Sequence, residues 1–360
     1  MFNPSRFCVA RKRRKLNKAQ LAQLSGLESR TISAYENGEF EPSPETLARL
    51  ASILRFDIGF FAGSDLHHPS AQTASFRSLA RMSASNRDAA LSFSSFAFLL
   101  SDWLEKQFTL PDVDVPDLRE EDPESAADSL RQHWALGERP IRNMVHLLES
   151  KGVRVFSMAE DTEEIDAYSL WRGTVPFVFL NTRKSAERSR FDAAHELGHL
   201  VLHRHAECQG KDAENQANQF ASSFLMPRGS VLAHVPVLAT LNSLIKLKKI
   251  WNVSLASITY RLHALGAISD WHHRSLVIEI GQRGYRTNEP DGSPREMSMV
   301  LAKTFEMLRK DGITKNMIAK ELFIDPDELD KMVFGLILNS LEGSGTRTQS
   351  FKKPDLRIVK

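Results

Sequence analysis

At 360 residues, 42% hydrophobic and 26% charged, the chain has the make-up of an ordinary globular protein with room for two or three cores, which excludes general disorder. Two cysteines, Cys8 and Cys208, exclude a disulfide framework and point to a reducing compartment. No secretory signal pattern opens the sequence, and the longest apolar stretch, "LSFSSFAFLLSDWL", is short and carries Asp102. The expectation is a soluble, cytoplasmic protein with no membrane partner. The net charge of +2 is unevenly spread: residues 1–64 hold ten Lys/Arg against six Asp/Glu, and Arg11 to Lys15 are all basic. That run predicts a local site for a polyanion.

In chain order, residues 4–61 place apolar residues at helical spacing, with turn signals at Gly26, Gly38 and Pro42/Pro44. Within them, "NKAQLAQLSGLESRTISAYENG" carries a helix-turn-helix signature. Leu21, Ala22, Leu27 and Ile32 supply contacts between two short helices, and Gly26 permits the turn. Ser29 is expected to cap the second helix and Gly38 to end it. Ser29, Arg30, Ser33 and Ala34 then face outward to meet base edges, while Lys18, Gln20 and the 11–15 run hold phosphates. The segment resembles the phage-repressor-like (XRE-type) family. That resemblance implies a five-helix domain acting on two half-sites of double-stranded operator DNA, hence a homodimer.

Residues 63–124 read as a connector: a polar linker, "GSDLHHPSAQTAS", then a helical hairpin or one long helix over 76–107, then the extended, acidic "LPDVDVPDLREEDPES". A second domain over 125–270 begins with two helices. Pro140 opens the second of these and Gly152 ends it. Three strand candidates follow, "VRVFSM", "IDAYSLW" and "VPFVFLN". The last offers an edge for an extended substrate. Helices are expected over about 186–203, 213–226, 238–248 and 254–266. Residues 271–342 form a small region with a strand, "SLVIEIGQ", and two or three helices; 343–360 form a disordered basic tail. Within that region "ITKNMIAKELFIDPDELDKMVFG" has a weak helix-turn-helix look, but Asp325, Asp327, Glu328 and Asp330 would repel phosphate, so packing or dimerisation is expected.

The chemistry is concentrated in "RSRFDAAHELGHLVLHRH". On a helix His195 and His199 lie four apart on one face and present two imidazoles to one metal, with Glu196 beside them. Zinc suits this set, and Glu196 is placed to take a proton from water and deliver it to a leaving amine. A third ligand has several candidates. His205 sits where metzincins place their last histidine, but Leu202 stands where that pattern needs Gly. Cys208 is a softer alternative, and His203 reads as a supporting or surface group. Glu214 heads a stripe with Ala217, Ala221 and Phe224, small enough to press its helix against the motif helix. Asp212 and Gln216 flank it as supporting groups. Tyr168, Arg188 and Arg190 are candidates for stabilising an oxyanion.

Together with "ENQANQFASSFLMP" the motif resembles the ImmA/IrrE family of bacterial metallopeptidases over about 125–270. The resemblance implies Zn2+ held by His195, His199 and Glu214, with Glu196 as general base and a helix-turn-helix repressor as substrate. The expected fold is mainly α with a small β-sheet: an all-α five-helix DNA-binding domain over 1–62, an α+β gluzincin-like peptidase domain, and a small C-terminal α/β region. The expected function is a DNA-binding transcriptional regulator fused to a zinc endopeptidase. The alternative is a repressor or antitoxin-like protein whose zinc is structural or sensory.

Overall fold

The computed structural model describes residues 2–69, 83–158, 166–204 and 210–337. The basic tail, residues 70–75 of the polar linker, His205 and Cys208 lie outside them. None of the helices in the described residues is long and apolar enough to cross a membrane.

The first unit is built from short helices with local stop and start signals. Helix α1 (Pro4–Arg13) starts where the Asn3 side chain accepts the Ser5 and Arg6 N–H groups. Helix α2 (Lys18–Ser25) opens on a capping box between Asn17 and Gln20 and ends at Gly26, φ 66°. Helix α3 (Ser29–Asn37) ends at Gly38, φ 71°. Helix α4 (Pro44–Leu54) is capped by Ser43, and a 3-10 turn (Ile58–Ala62) closes the unit, so the fifth expected helix is this single turn. Ser29 is not the cap: Glu28 holds the extended cap conformation, and Ser29 is already the first helical residue. Ala34 is buried, not outward, because it shares the inward side of α3 with Ile32 and Tyr35.

The basic run does not form the expected phosphate patch. Successive helical residues turn by about 100°, so neighbouring charges on a helix cannot all share one face. Arg11 is buried against Glu36 at 2.6 Å, Lys12 lies 3.6 Å from Asp88, and Arg13 and Arg14 pair with Glu328 at 2.6 and 2.8 Å.

The segment after the linker is one long helix, α5 (Ala84–Gln107), packed against α1. Helix α6 (Pro123–His133) follows the extended stretch. Helix α7 (Met144–Ser150) starts four residues after Pro140, capped by Asn143, because the Gly137 and Arg139 carbonyls accept the Arg131 guanidinium. Strands β1 (Arg154–Ser157), β2 (Ala167–Arg172) and β3 (Val175–Leu180) form one sheet in the order β1-β3-β2. β3 runs parallel to β1 and antiparallel to β2, with Ser169 opposite Val178. β3 is therefore internal, and the expectation that it offers an edge is overturned. Its unbroken apolar run "VPFVFL" is the pattern of a strand covered on both faces.

Helices α8 (Ala186–Leu202) and α9 (Lys211–Leu225) pack closely together, and α8 lies on β2 and β3. Gly198 lets them approach: a Cβ there would stand 3.0 Å from the Phe220 ring and 3.3 Å from the Ala217 Cα. Helices α10 (Arg228–His234), α11 (Leu241–Leu247) and α12 (Leu255–Ala264) complete this body.

The expected strand "SLVIEIGQ" is instead part of a helix, α13 (Asp270–Gln282), begun by a Ser269 cap. Leu276 and Ile280, four apart, are its buried residues, a spacing that a strand would place on one face but a helix also satisfies. After an irregular stretch over 283–298, helices α14 (Met299–Lys310), α15 (Lys315–Leu322) and α16 (Pro326–Val333) follow, so the described part of the C-terminal region contains helices and no strand. It interlocks with the body. Glu296 accepts the Met144 and Val145 N–H groups at the start of α7, and Glu149 accepts those of Met299 and Val300 at the start of α14.

Candidate metal centre

The spacing of α8 and the tight contact with α9 bring His195, His199 and Glu214 together, with one donor atom of each within 4.8 Å of the others. The two Nε2 atoms are 3.1 Å apart; Glu214 Oε2 lies 3.6 Å from His195 Nε2 and Oε1 3.3 Å from His199 Nε2. The imidazole-to-carboxylate separations fall at roughly 3.3–3.6 Å, the edge length of a tetrahedron with zinc-ligand bonds of about 2.0–2.2 Å, and the two imidazole nitrogens are slightly closer than that.

The hydrogen-bond network assigns the tautomers. His195 Nδ1 donates to Asn218 Oδ1 at 3.0 Å. His203 Nε2 donates to Gln216 Oε1 at 2.8 Å, leaving His203 Nδ1 to accept from His199 Nδ1 at 3.0 Å. Both Nε2 atoms then face each other and a carboxylate with lone pairs. Three converging acceptors repel unless a cation lies among them, so the donor set fits a divalent metal. Burial, then the neighbouring His199, pushes His195 down to about 4, which keeps its imidazole neutral and able to ligate at pH 7.

Glu196, one residue after the first histidine, points instead toward β2. Ser169 Oγ donates to its Oε2 at 2.7 Å, and Glu196 is 2% exposed. His195, Glu196 and Glu214 border a cleft of about 680 Å³ whose far wall comes from the start of α12 (Ser254, Ser257) and from Tyr285 and Arg286.

Residues 148–263 match the family model of the IrrE N-terminal-like domain, Peptidase_M78, and residues 10–61 match that of the helix-turn-helix family HTH_3. The chain joins a helix-turn-helix domain to an IrrE-like peptidase domain. No curated protein matches it.

Within the IrrE-like domain, the oxyanion candidates separate clearly. Tyr168 is fully buried, stacked on Phe179, with its hydroxyl donating to the Ala90 carbonyl, so it is a packing residue. Arg190 is buried against Glu296 and the Ile141 carbonyl. Of the three only Arg188 lines the cleft, where it pairs with Asp166 at 2.5 Å. Asp212 is exposed, whereas Gln216 reaches His203. Sequence reasoning missed Asn218, Ser169 and Asp192. Asn218 stands one turn after Glu214 on the same helix, a spacing that could have marked it.

In the helix-turn-helix domain, Lys18 and Gln20 open α2, while Ser29, Arg30 and Ser33 occupy the first half of α3. Lys18 Nζ donates to Ser33 Oγ at 3.2 Å and pairs with Glu36 at 3.3 Å, which ties the start of α2 to the middle and end of α3. Gln20, Ser29 and Arg30 are exposed, and Arg30 pairs with Glu28 at 2.5 Å across solvent. The Gln20 side-chain oxygen Oε1 is occupied by the Asn17 backbone N–H.

Glu214→Ala and His199→Ala are each expected to abolish one-to-one zinc binding, and Asn218→Ala to weaken it by about 10–100-fold, as loss of a ligand-orienting partner does. A titration against a chromophoric chelator checks this. Full binding by Glu214→Ala would break the assignment.

Proposed function

We propose that this protein is a DNA-binding transcriptional regulator whose IrrE-like domain is a zinc-dependent endopeptidase acting on a repressor-type protein. The observation that carries this is the convergence of His195, His199 and Glu214 beside a buried Glu196 at the wall of an open cleft. His195, His199 and Glu214 would hold the zinc, which when bound lowers the pKa of a water ligand to about 7. Glu196, steadied by Ser169, accepts a proton from the attacking water and passes it to the leaving amine. Arg188, at the cleft, is the remaining candidate for meeting developing negative charge. A structural or sensory zinc site is normally closed by a fourth protein ligand and has no use for a buried carboxylate beside it. The donor set among the described residues comprises three residues.

The exposed Arg30, Ser29 and Gln20, with Lys18 and Ser33 behind them, would contact the operator. One experiment tests both halves. The zinc-loaded chain is incubated with helix-turn-helix repressors encoded beside its gene and, in parallel, titrated against operator DNA by gel shift. A single discrete cut, lost on chelation, is expected. Arg30→Ala should weaken sequence discrimination by about 1–3 kcal/mol and leave cleavage of free substrate unchanged. Loss of cleavage in Arg30→Ala without unfolding would make the front domain a substrate-docking module.

A further inference from the structure

The cleft beside the metal centre is rich in carboxylates, and nearly all of them are already engaged. Asp166 is held by Lys184 and Arg188, and Glu187 and Glu289 share the buried Lys248 at 3.8 and 3.2 Å. Ser293 N–H and Leu255 N–H also donate to Glu187 and Glu289. Glu196 accepts from Ser169, and Glu214 sits against the two histidines.

Asp192 is the exception. It lies on α8 one turn before His195 and Glu196 and lines the same cleft. Its Oδ2 is sealed from water and has no hydrogen-bond partner among the described residues. A carboxylate whose inner oxygen has neither donor nor water is held at a free-energy cost, which a cation meeting the group from the cleft side would offset. Arg188, the nearest arginine of the wall in sequence, is committed to Asp166. Desolvation raises the Asp192 carboxyl to about 7 even though Arg188 and Lys184 pull it down, as expected of a carboxyl short of hydrogen-bond donors.

We infer that Asp192 is a specificity-determining residue that receives a lysine or arginine side chain of the substrate, so that the cleft selects a basic segment placed next to the metal. The cleft adjoins a second hollow, which shares Phe191, Asn218, Ala256 and Ser257 with it and is otherwise lined by Asn215, Gln219, Ser222 and Tyr260. That side holds neutral amides and hydroxyls, so the preference for a cation belongs to the Asp192 side alone. A basic substrate segment is also what a DNA-binding protein offers. The inference rests on the reading of this cleft as a peptide-binding site.

The test uses the full-length, zinc-loaded Glu196→Gln protein, which should bind without turning over. The probes are acetylated, amidated fluorescent decapeptides of neutral sequence carrying Arg, Lys, norleucine or Glu at one central position, read by anisotropy. Arg and Lys peptides should bind about 10- to 100-fold more tightly than the norleucine peptide, the range of a charge-assisted hydrogen bond. The Glu peptide should bind weakest. A further Asp192→Asn substitution should erase the difference between Arg and norleucine. Equal binding of Arg and norleucine, or discrimination that survives Asp192→Asn, overturns the inference. The Arg-to-norleucine comparison needs no variant at Asp192, so it decides even if that variant fails to fold. Wild-type cleavage of the same peptides separates the two readings. Cutting without a basic preference would sink the role of Asp192 but not the peptidase, whereas Asp192-dependent binding without any cutting would do the reverse.

Discussion

Glu196→Gln protein is expected to bind zinc as the wild type does and to cleave about 10²- to 10⁴-fold more slowly, the usual contribution of a general base. The amide keeps the size and the buried position of the carboxylate, and its oxygen can still accept from Ser169 Oγ, now at 2.7 Å from Oε2. It cannot accept a proton from water. The histidine tautomers are set by the hydrogen bonds of His195 with Asn218, of His199 with His203 and of His203 with Gln216, which do not use the Glu196 carboxylate, so the donor set is left undisturbed. Single-turnover cleavage measured beside zinc stoichiometry makes the comparison. Near-wild-type turnover would remove Glu196 from the proton path; loss of zinc would show instead that the substitution had disturbed the centre.

What the sequence made legible were features whose geometry is local. A four-residue spacing puts His195 and His199 on one face, and the small residues Ala217 and Ala221 announce that α9 can close on α8 with Glu214 at the junction. Helix ends at Gly26 and Gly38 were readable for the same reason: a left-handed position is written in one residue. Features set by partners far along the chain were hidden. Ser169 meets Glu196 only because β2 runs antiparallel to β3 and lies against α8, and no pattern within "AYSLWR" reveals which side chain will reach the motif. "SLVIEIGQ" misleads because β-branched content argues for a strand, while its burial follows a helix held by a distant packing surface. The run at Arg11 to Lys15 misleads most: its charge was visible, and its acidic partner 315 residues away was not.

That partnership makes the second large effect. Glu328→Ala is expected to destabilise the fold by about 3–5 kcal/mol, because it strips the counter-ion from a buried cation. The Arg13 and Glu328 side chains are each 1% exposed. Nε and Nη2 of Arg13 both donate to Glu328 Oε2, at 3.0 and 2.6 Å, and Arg14 Nη1 donates to Oε1 at 2.8 Å. The Arg13 guanidinium also lies over the Phe93 ring, 4.9 Å from its centre, so α1, α5 and α16 meet at this one pair. Burial opposes the charge on Glu328, but Arg13, Lys331 and Arg14 outweigh it and hold the carboxyl below its ordinary value. A carboxyl depressed in the folded state contributes stability that is complete above its unfolded value, near 4.5, and is lost as pH falls through the folded one. The wild type should therefore lose stability on acidification in that window, and Glu328→Ala should lose less. Replacing both members of the buried pair, Arg13→Met with Glu328→Leu, should cost less than Glu328→Ala, because the buried Arg13 charge goes with its partner and only the more exposed Arg14, 20% exposed, loses a counter-ion. Urea unfolding of the three proteins at pH 7 and pH 4 measures these differences. If Glu328→Ala unfolds at the wild-type midpoint, the pair does not hold the helix-turn-helix domain to the C-terminal helices, and the acidic stretch around Asp325 to Asp330 has another role.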